Sequence, residues 1–158
     1  MSEAVHAFRL RRSEAAATVL LPSFLGRVSE FLKAYEPITD IELVIDSIWK
    51  DYGSGEEDWL LVAMVQPEVG LVGHLLAGVF QYYGETNAIV YQFAHDHEVG
   101  DAWGAALSAD EILCAWAERK GCGSVSCLPR SKSRARLYRK AGYQNREPRM
   151  TKAVLRRK

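Results

Sequence analysis

The sequence predicts an α/β (α+β) fold in which helices flank a central, mixed and mostly antiparallel sheet. Three β-rich segments at 59–65, 71–83 and 87–95 follow one another with only turn residues between them, which indicates an antiparallel meander. A helix and a short strand come next, and this order implies at least one parallel pair in the sheet. The complete predicted order is ααβββαβαββ, after an uncertain first strand at 5–11.

Two helices are predicted before the meander. The first begins at Ser23 and ends before Pro37, while the alanine-rich residues 14–17 ahead of it are ambiguous. The second begins at Thr39, which can form a capping box with Glu42. Apolar residues recur at helical spacing in both helices and form their predicted buried stripes: Phe24, Leu25, Val28, Phe31, Leu32 and Tyr35 in the first, and Ile41, Val44, Ile45, Ile48, Trp49 and Tyr52 in the second.

The middle strand of the meander is apolar on both faces, so we expect it inside the sheet with helices packed on each side. After the meander the pattern predicts a helix over 105–120, with Gly121 as its C-terminal stop. The remaining elements are a buried strand at 124–128, a helix at 131–141, and a hairpin formed by 143–145 and 150–155.

The composition favours one globular domain, 1–158. Of the 158 residues, 48% are apolar and 25% are charged, which suffices for a substantial core. Cys114, Cys122 and Cys127 contain no CxxC pair, so neither a disulfide framework nor a zinc site is indicated, and a reducing, cytoplasmic setting fits best. No apolar run approaches the roughly 18 residues of a membrane span. We therefore expect no membrane association.

Charge is distributed unevenly along the chain. The formal net charge is zero, yet residues 130–158 contain twelve Lys or Arg and a single acid, Glu147. Such a basic segment can attract the phosphates of a nucleotide cofactor, a nucleic-acid backbone, or an acidic face on another copy of the protein. Nucleic acid is the least favoured of these partners, because no aromatic residues interleave with the charges and no helix-turn-helix spacing is present.

Small residues lie at the start of the predicted third helix, in the segment Asp101-Ala102-Trp103-Gly104-Ala105-Ala106. Small side chains allow a ligand to approach the backbone, and the first amides of a helix form an anion site supported by the helix dipole. Pyrophosphate is a suitable ligand for such a site. The same pattern also occurs where a helix merely packs closely on a sheet.

The downstream spacing identifies a resemblance to a known family. Lys120-Gly121-Cys122, the strand at 124–128 and Leu137-Tyr138-Arg139-Lys140-Ala141-Gly142-Tyr143 together resemble the GNAT superfamily, the Gcn5-related N-acetyltransferases, over roughly residues 22–156. The resemblance implies a GNAT-like fold and an acetyl-CoA-dependent N-acetyltransferase. It further implies that the acceptor is an amine on a small molecule or a protein.

The same resemblance implies a set of site residues. Tyr138 matches the acid that protonates the departing CoA thiolate, and the strand at 91–94 would pair with the pantetheine arm of the cofactor. The residues implied in cofactor binding are Phe93, Ala94, Trp103, Gly104, Ala105, Ala106 and Ser131. A second alignment of the phosphate loop, over 97–102, would lengthen the helix by four residues and place Trp103 and Gly104 inside it.

A general base is required to remove a proton from the acceptor amine. The leading candidates are Asp96 and His95, followed by His97, Glu98 and, on the middle strand, His74. His95, Asp96 and His97 could equally belong to a solvated loop. Adjacent residues of an extended chain point to opposite faces, so this triplet is not expected to bind a metal.

One substitution supports a different class of function. Asp101 stands where the family has Arg or Gln, and its carboxylate would repel pyrophosphate by on the order of 1 kcal/mol. Ser131 and Arg134 also depart from the family pattern. The alternative is a non-catalytic GNAT-fold assembly protein, for example in a phage virion, that uses the uneven charge for self-association.

Overall fold

A computed structural model of the protein describes residues 4–12, 14–36, 39–54, 58–96, 102–127, 132–146 and 149–154. The order of its elements agrees with the predicted order, including the uncertain first strand. In chain order they are β1 (His6–Arg9), α1 (Ala15–Tyr35), α2 (Ile41–Ser54), β2 (Trp59–Gln66), β3 (Gly70–Tyr82), β4 (Glu85–His95), α3 (Ala102–Arg119), β5 (Ser124–Cys127), α4 (Lys132–Lys140), β6 (Gln144–Arg146) and β7 (Arg149–Ala153).

The strands form one seven-stranded sheet in the order β1-β2-β3-β4-β5-β7-β6. Neighbouring strands are antiparallel except β4 and β5, which are parallel and connected through α3. The β2-β3-β4 meander, the single parallel pair and the C-terminal hairpin are therefore confirmed. The hairpin places β7 between β5 and β6, so the chain's last strand is not at the edge of the sheet.

Apolar clusters cover both faces of the sheet. One cluster joins alternate residues of β2, β3 and β4 to α3 and α4, and its largest buried side chain is Trp116. The other joins the opposite faces of β2 and β3 to α1 and α2, with Phe24 and Ile48 fully buried. The prediction that helices pack on both sides of the middle strand is confirmed. No helix in the described ranges is long and apolar enough to cross a membrane.

Helix α1 is longer than predicted. It begins at Ala15 instead of Ser23, so Pro22 lies inside it, and it ends at Tyr35, before Pro37, which is outside the described residues. Leu21, Phe24 and Val28 are all buried and recur at helical spacing, so the apolar stripe continues across the proline. Packing of this stripe on the sheet offsets the backbone hydrogen bond that a proline cannot donate.

The predicted buried stripes of α1 and α2 are each wrong at one residue. The exposed fraction of Trp49 is 56%, whereas its neighbour Ile48 is fully buried. Tyr35, at the end of α1, is 52% exposed. An apolar residue next to a stripe fits the sequence pattern equally well, and only the rotation of the helix against the sheet decides which residues are covered.

Two helices end in the same glycine-dependent turn. At the end of α3, Cys122 N donates to Ala117 O at 2.9 Å and Gly121 N to Glu118 O at 3.0 Å. At the end of α4, Tyr143 N donates to Tyr138 O at 2.9 Å. These are Schellman bonds, which require a residue with positive φ, and φ is 76° at Gly121 and 96° at Gly142. The prediction that Gly121 stops its helix is confirmed.

Candidate active site

Strand β4 contains a β-bulge at Tyr91. Val90 is opposite Ala77 of β3 and Gln92 is opposite Leu76, so Tyr91 has no counterpart on the partner strand. An extra residue in one strand of a pair disrupts the ladder locally and bends the strand. Tyr91 packs against Trp59, with their ring centroids 5.3 Å apart.

The pairing of β4 with β5 extends to the residue before the bulge. Their parallel pairing has three positions, the last of which joins Val90 to Cys127, where β5 ends. Strand β4 continues to His95. Within the described residues, no strand pairs with 91–95 on the side of β5, and residues 128–131, which follow β5, lie outside them. An extended ligand can add to a sheet along an edge of this kind.

Tyr138 packs against β4 just beyond the bulge. Its ring makes an edge contact with Phe93, with centroids 6.1 Å apart, and a second edge contact with Tyr143 at 5.3 Å. A cavity of about 10 Å³ lies between β4, α3 and α4, beside Phe93 and Tyr138. That volume is about enough for one water molecule. The predicted acid thus lies on the α3 and α4 side of the sheet.

Helix α3 begins at Ala102, three residues before the predicted start. Trp103 and Gly104 lie inside it, as the second alignment of the phosphate loop requires, and the preferred start at Ala105 is wrong. One glycine in a helix costs about 1 kcal/mol, which is too little to end a helix whose next residues, Ala105 and Ala106, are buried against the sheet.

The first turn of α3 lies near the basic end of α4. Lys140 Nζ is 4.8 Å from the centroid of the Trp103 ring, which is a cation–π contact between the two helices. The exposed basic residues of α4 are Lys132, Arg136, Arg139 and Lys140. These charges and the N-terminal end of the α3 dipole make this part of the surface electropositive.

Several predicted residues lie outside the described ranges. They include Asp101 and Ser131 of the cofactor site and the base candidates His97 and Glu98.

The face of β4 that points away from Tyr138 carries a polar cluster, which α1 covers. Arg27 Nη1 lies 3.2 Å from Asp96 Oδ1, and Arg27 Nε lies 3.4 Å from His74 Nδ1. His74 Nε2 is 2.8 Å from Gln92 Oε1, and Gln92 Nε2 donates to Val28 O at 3.2 Å. His74 and Gln92 are both fully buried. The cluster is therefore a hydrogen-bonded chain that runs from the surface into the core.

The directions of these hydrogen bonds assign one tautomer to His74. Arg27 Nε can only donate, so His74 Nδ1 accepts and His74 Nε2 carries the proton that it donates to Gln92 Oε1. Both ring nitrogens of His74 and both side-chain groups of Gln92 then have a partner, as a buried network requires. Phe24 and Phe31 of α1 enclose the imidazole in edge contacts, with ring centroids 5.5 and 6.2 Å away.

Among the predicted bases, Asp96 and His74 belong to the same polar cluster, because each contacts Arg27. His95 is paired with Gly73 of β3, and its Nδ1 is 3.3 Å from the backbone oxygen of Asp96. Along an extended strand, its side chain lies on the face opposite to that of Ala94. His95 and Asp96 consequently do not form one catalytic group.

An open cleft of about 610 Å³ lies beside this cluster. It is lined by Ser23, Gly26, Arg27, Glu30 and Phe31 of α1, His74 of β3, and Ala94 of β4. The sequence analysis did not identify Arg27 or Glu30 as site residues. One signal was available, because Arg27 is a charged residue at a core-facing position, three residues after Phe24 and four before Phe31.

A second polar cluster connects α3, α4 and β7. Tyr143 Oη donates to Asp110 Oδ1 at 2.7 Å, and Lys152 Nζ lies 2.8 Å from Asp110 Oδ2 and 2.7 Å from Ala141 O. Burial, followed by the Asp110 charge, raises the pKa of Tyr143 well above its ordinary value. Burial alone would lower the pKa of Lys152, but the hydrogen bond and charge of Asp110 outweigh it and raise that pKa.

The cysteines near this cluster are thiols at neutral pH. Burial, then the charge of Asp110, raises the pKa of both Cys114 and Cys127. A raised thiol pKa disfavours the nucleophilic thiolate. In the part of the chain that the structure describes, no three His, Cys, Asp or Glu side chains are grouped as a metal site.

Comparisons with known proteins relate the fold to one family. No family model and no curated protein matches the sequence. Solved structures do match: NAA60 of Arabidopsis thaliana, crystallised with acetyl-CoA, is 12% identical with a TM-score of 0.65, over 96% of this chain and 99% of that one.

Two further solved structures also match the fold of this chain. An aminoglycoside acetyltransferase from an uncultured soil metagenomic sample, crystallised with sisomicin, is 18% identical with a TM-score of 0.60, over 90% of both chains. A GNAT-family acetyltransferase of Streptococcus pneumoniae is 13% identical with a TM-score of 0.63, over 96% of this chain and 100% of that one. Identities this low establish the architecture alone. The chain therefore has the GNAT fold.

Proposed function

We propose that the protein is an acetyl-CoA-dependent N-acetyltransferase that acts on an amine. The observation that carries this proposal is the bulge at Tyr91, beyond which no strand in the described residues pairs with β4 on the side of β5. Tyr138 lies beside the same stretch of β4, against Phe93. Solved structures with this fold include enzymes that are named as acetyltransferases, and one of these structures contains acetyl-CoA.

The described residues fit acetyl-CoA at three points. The edge of β4 beyond the bulge suits the amide groups of the pantetheine arm, with Phe93 and Ala94 at its centre. The first turn of α3, which contains Trp103 and Gly104 and leads into Ala105 and Ala106, suits the pyrophosphate. The exposed lysines and arginines of α4 supply further positive charge. Ser131, which precedes α4, completes the proposed cofactor site.

In the proposed reaction the acceptor amine attacks the thioester carbonyl carbon, and the C–S bond breaks. Asp96, which is paired with Arg27 of the cleft, removes a proton from the amine directly or through water, and His95 is the second candidate for this role. Tyr138 donates its phenolic proton to the departing thiolate. A phenol is available for this step because its ordinary pKa, about 10, keeps it protonated at neutral pH.

Binding of the cofactor is tested by thermal unfolding with and without 1 mM acetyl-CoA. A ligand that binds only the folded protein, at one hundred times its dissociation constant, adds about 2.7 kcal/mol of stability. We expect a clear rise in melting temperature. No rise at 1 mM would contradict the proposal and would favour a protein that uses the fold without the chemistry.

The role of Tyr138 is tested separately. Tyr138→Phe should lower kcat on the order of 100-fold, because one positioned acid is lost, while the thermal shift with acetyl-CoA stays unchanged. Tyr83→Phe, in the exposed turn between β3 and β4, is the matched control. Equal rates for the two variants would remove Tyr138 from the mechanism.

The virion or assembly role considered above receives no support from the named neighbours, which are acetyltransferases. The three cysteines are free thiols and fit the cytoplasmic location that the sequence predicts.

A further inference from the structure

Arg27 is held in one orientation by groups on both sides of its guanidinium. Its Nε donates to His74, whose imidazole is fixed in turn by the fully buried Gln92, which itself donates to Val28 O. Its Nη1 donates to Asp96. Because His74 and Gln92 are buried and hydrogen-bonded, they hold the guanidinium firmly, so it loses little conformational entropy when it binds a ligand.

The ion pair with Asp96 does not account for this arrangement by itself. The Arg27 side chain is 24% exposed and that of Asp96 is 54% exposed. A pair as exposed as this contributes little to folding, with a median of about 0 to 1 kcal/mol. The orientation of Arg27 is thus better explained by the N–H donors that it directs into the cleft than by a contribution to folding stability.

Donor groups of Arg27 remain available at the cleft. A guanidinium has five N–H donors in a planar fork, and toward the residues that the structure describes Arg27 uses only one at Nε and one at Nη1. The others suit the two oxygens of a carboxylate or phosphate, which a fork of this kind binds in bidentate geometry.

The same cleft also contains negative charge. Glu30 lies one helical turn after Arg27 on α1 and lines the cleft with it, and Asp96 is paired with Arg27. Lys33 Nζ lies 3.3 Å from Glu30 Oε1, so with His74 neutral the two ion pairs sum to a net charge of zero. The cleft thus presents positive and negative groups together, and a molecule with an ammonium and an anionic group finds a partner for each.

We propose that Arg27 is the specificity-determining residue of the acceptor site, and that the acceptor is an amine that also carries a carboxylate or phosphate. This inference rests on the proposed function, because it assigns the cleft beside Ala94 to the acceptor. Arg27 binds the anionic group, and the carboxylates of Glu30 and Asp96 attract the ammonium group before it is deprotonated.

The test compares each zwitterionic amine with a partner that lacks its negative charge. Glycine, β-alanine and 4-aminobutyrate are paired with their amides, and 2-aminoethyl phosphate is paired with ethanolamine. The release of CoA is measured at saturating acetyl-CoA. We expect KM to be at least tenfold lower for the acid of the best pair. The carboxylate and phosphate arms show which anion is preferred. Equal or lower KM values for all of the partners without the anionic group would overturn the inference and indicate a simple cation site.

The variant Arg27→Lys keeps the charge and removes the fork. It should raise KM for the preferred zwitterion roughly tenfold, while KM for the partner without the anionic group changes less than about twofold. Arg11→Lys, at an exposed position before α1, is the matched control. A loss confined to kcat, equal for both amines, would assign Arg27 to the positioning of Asp96 and refute a role in specificity.

A binding experiment covers the case in which no amine of the panel is turned over. The NMR signal of the Arg27 Nε–H group, assigned by its loss in Arg27→Lys, is followed while the same acids and amides are added. A saturable shift with an acid but not with its amide supports the inference, and no shift with any acid overturns it. Failure of acetyl-CoA to raise the melting temperature would instead count against the proposed function.

Discussion

The contact between Asp110 and Lys152 provides a quantitative test of the packing around α4. Asp110 projects from α3, Lys152 lies on β7, and their charged atoms are 2.8 Å apart, with side chains 13% and 24% exposed. A hydrogen bond to a charged group contributes about 1.5 to 3 kcal/mol when partly shielded from water. We therefore expect a coupling free energy of about 2 kcal/mol between the two residues.

A double-mutant cycle measures this coupling. Asp110→Asn, Lys152→Met and the double variant are unfolded in urea, and the free energies of unfolding are compared with that of the wild type. Asp110→Asn alone should cost about 2 to 3 kcal/mol, because it leaves a partly buried ammonium without a counter-charge. The double variant should cost less than the sum of the two single variants.

The exposed pair of Glu30 and Lys33 is the control. Its charged atoms are 3.3 Å apart, with side chains 77% and 61% exposed, so a coupling of only about 0.3 to 0.5 kcal/mol is expected. In 1 M salt the control coupling should vanish, whereas that of Asp110 and Lys152 should largely remain. If Asp110 and Lys152 couple no more strongly than the control pair, the reasoning from burial is refuted.

Two further predictions concern stability. Gly121→Ala should destabilise the protein by about 1 kcal/mol, because φ at this position is +76°. Gly26→Ala, inside α1, should stabilise the protein by about 0.5 to 1 kcal/mol, because no atom lies within 4 Å of the added methyl group. Equal urea midpoints for the two variants would contradict this explanation. Because the pKa of Tyr143 is raised in the folded protein, its contribution to stability is fully present below pH 10. Above pH 10 Tyr143 ionises first in the unfolded chain, so the free energy of unfolding falls by up to about 1.4 kcal/mol per pH unit. The stability difference between the wild type and Tyr143→Phe should therefore shrink between pH 9 and pH 11, and a constant difference would show that Tyr143 ionises alike in both states.

The polar cluster at Asp110 also bears on the proposed chemistry. Lys152 Nζ donates to Ala141 O, directly after α4, and Tyr143 contacts both Asp110 and the ring of Tyr138. The cluster thus fixes the C-terminal end of the helix that carries Tyr138. A variant that weakens it should reduce turnover as well as stability.

Some features of the molecule were accessible from local sequence patterns. The meander follows from three β-rich segments that are separated by turn residues, and the stop at Gly121 follows from a glycine after an amphipathic helix. The segment 137–143 carries the resemblance that correctly predicted the fold. Such signals are local, because backbone propensity and the spacing of apolar residues act over a few positions.

Other features depended on contacts between distant segments. Whether α1 continues through Pro22 depends on packing of Leu21 against the sheet, and the exposure of Trp49 depends on the rotation of α2. The start of α3 at Ala102 was likewise missed. In each case the local pattern permits two outcomes whose free energies differ little, and burial selects between them.

The sequence by itself determined the order of the elements, the two-sided burial of the middle strand and the class of fold, because these depend on periodicities along the chain. Only the tertiary structure decided the bulge at Tyr91 and the contact of Arg27 with Asp96, 69 residues away. Strand register and long-range polar contacts arise from the fit of complete layers against each other, and no short stretch of sequence contains that information.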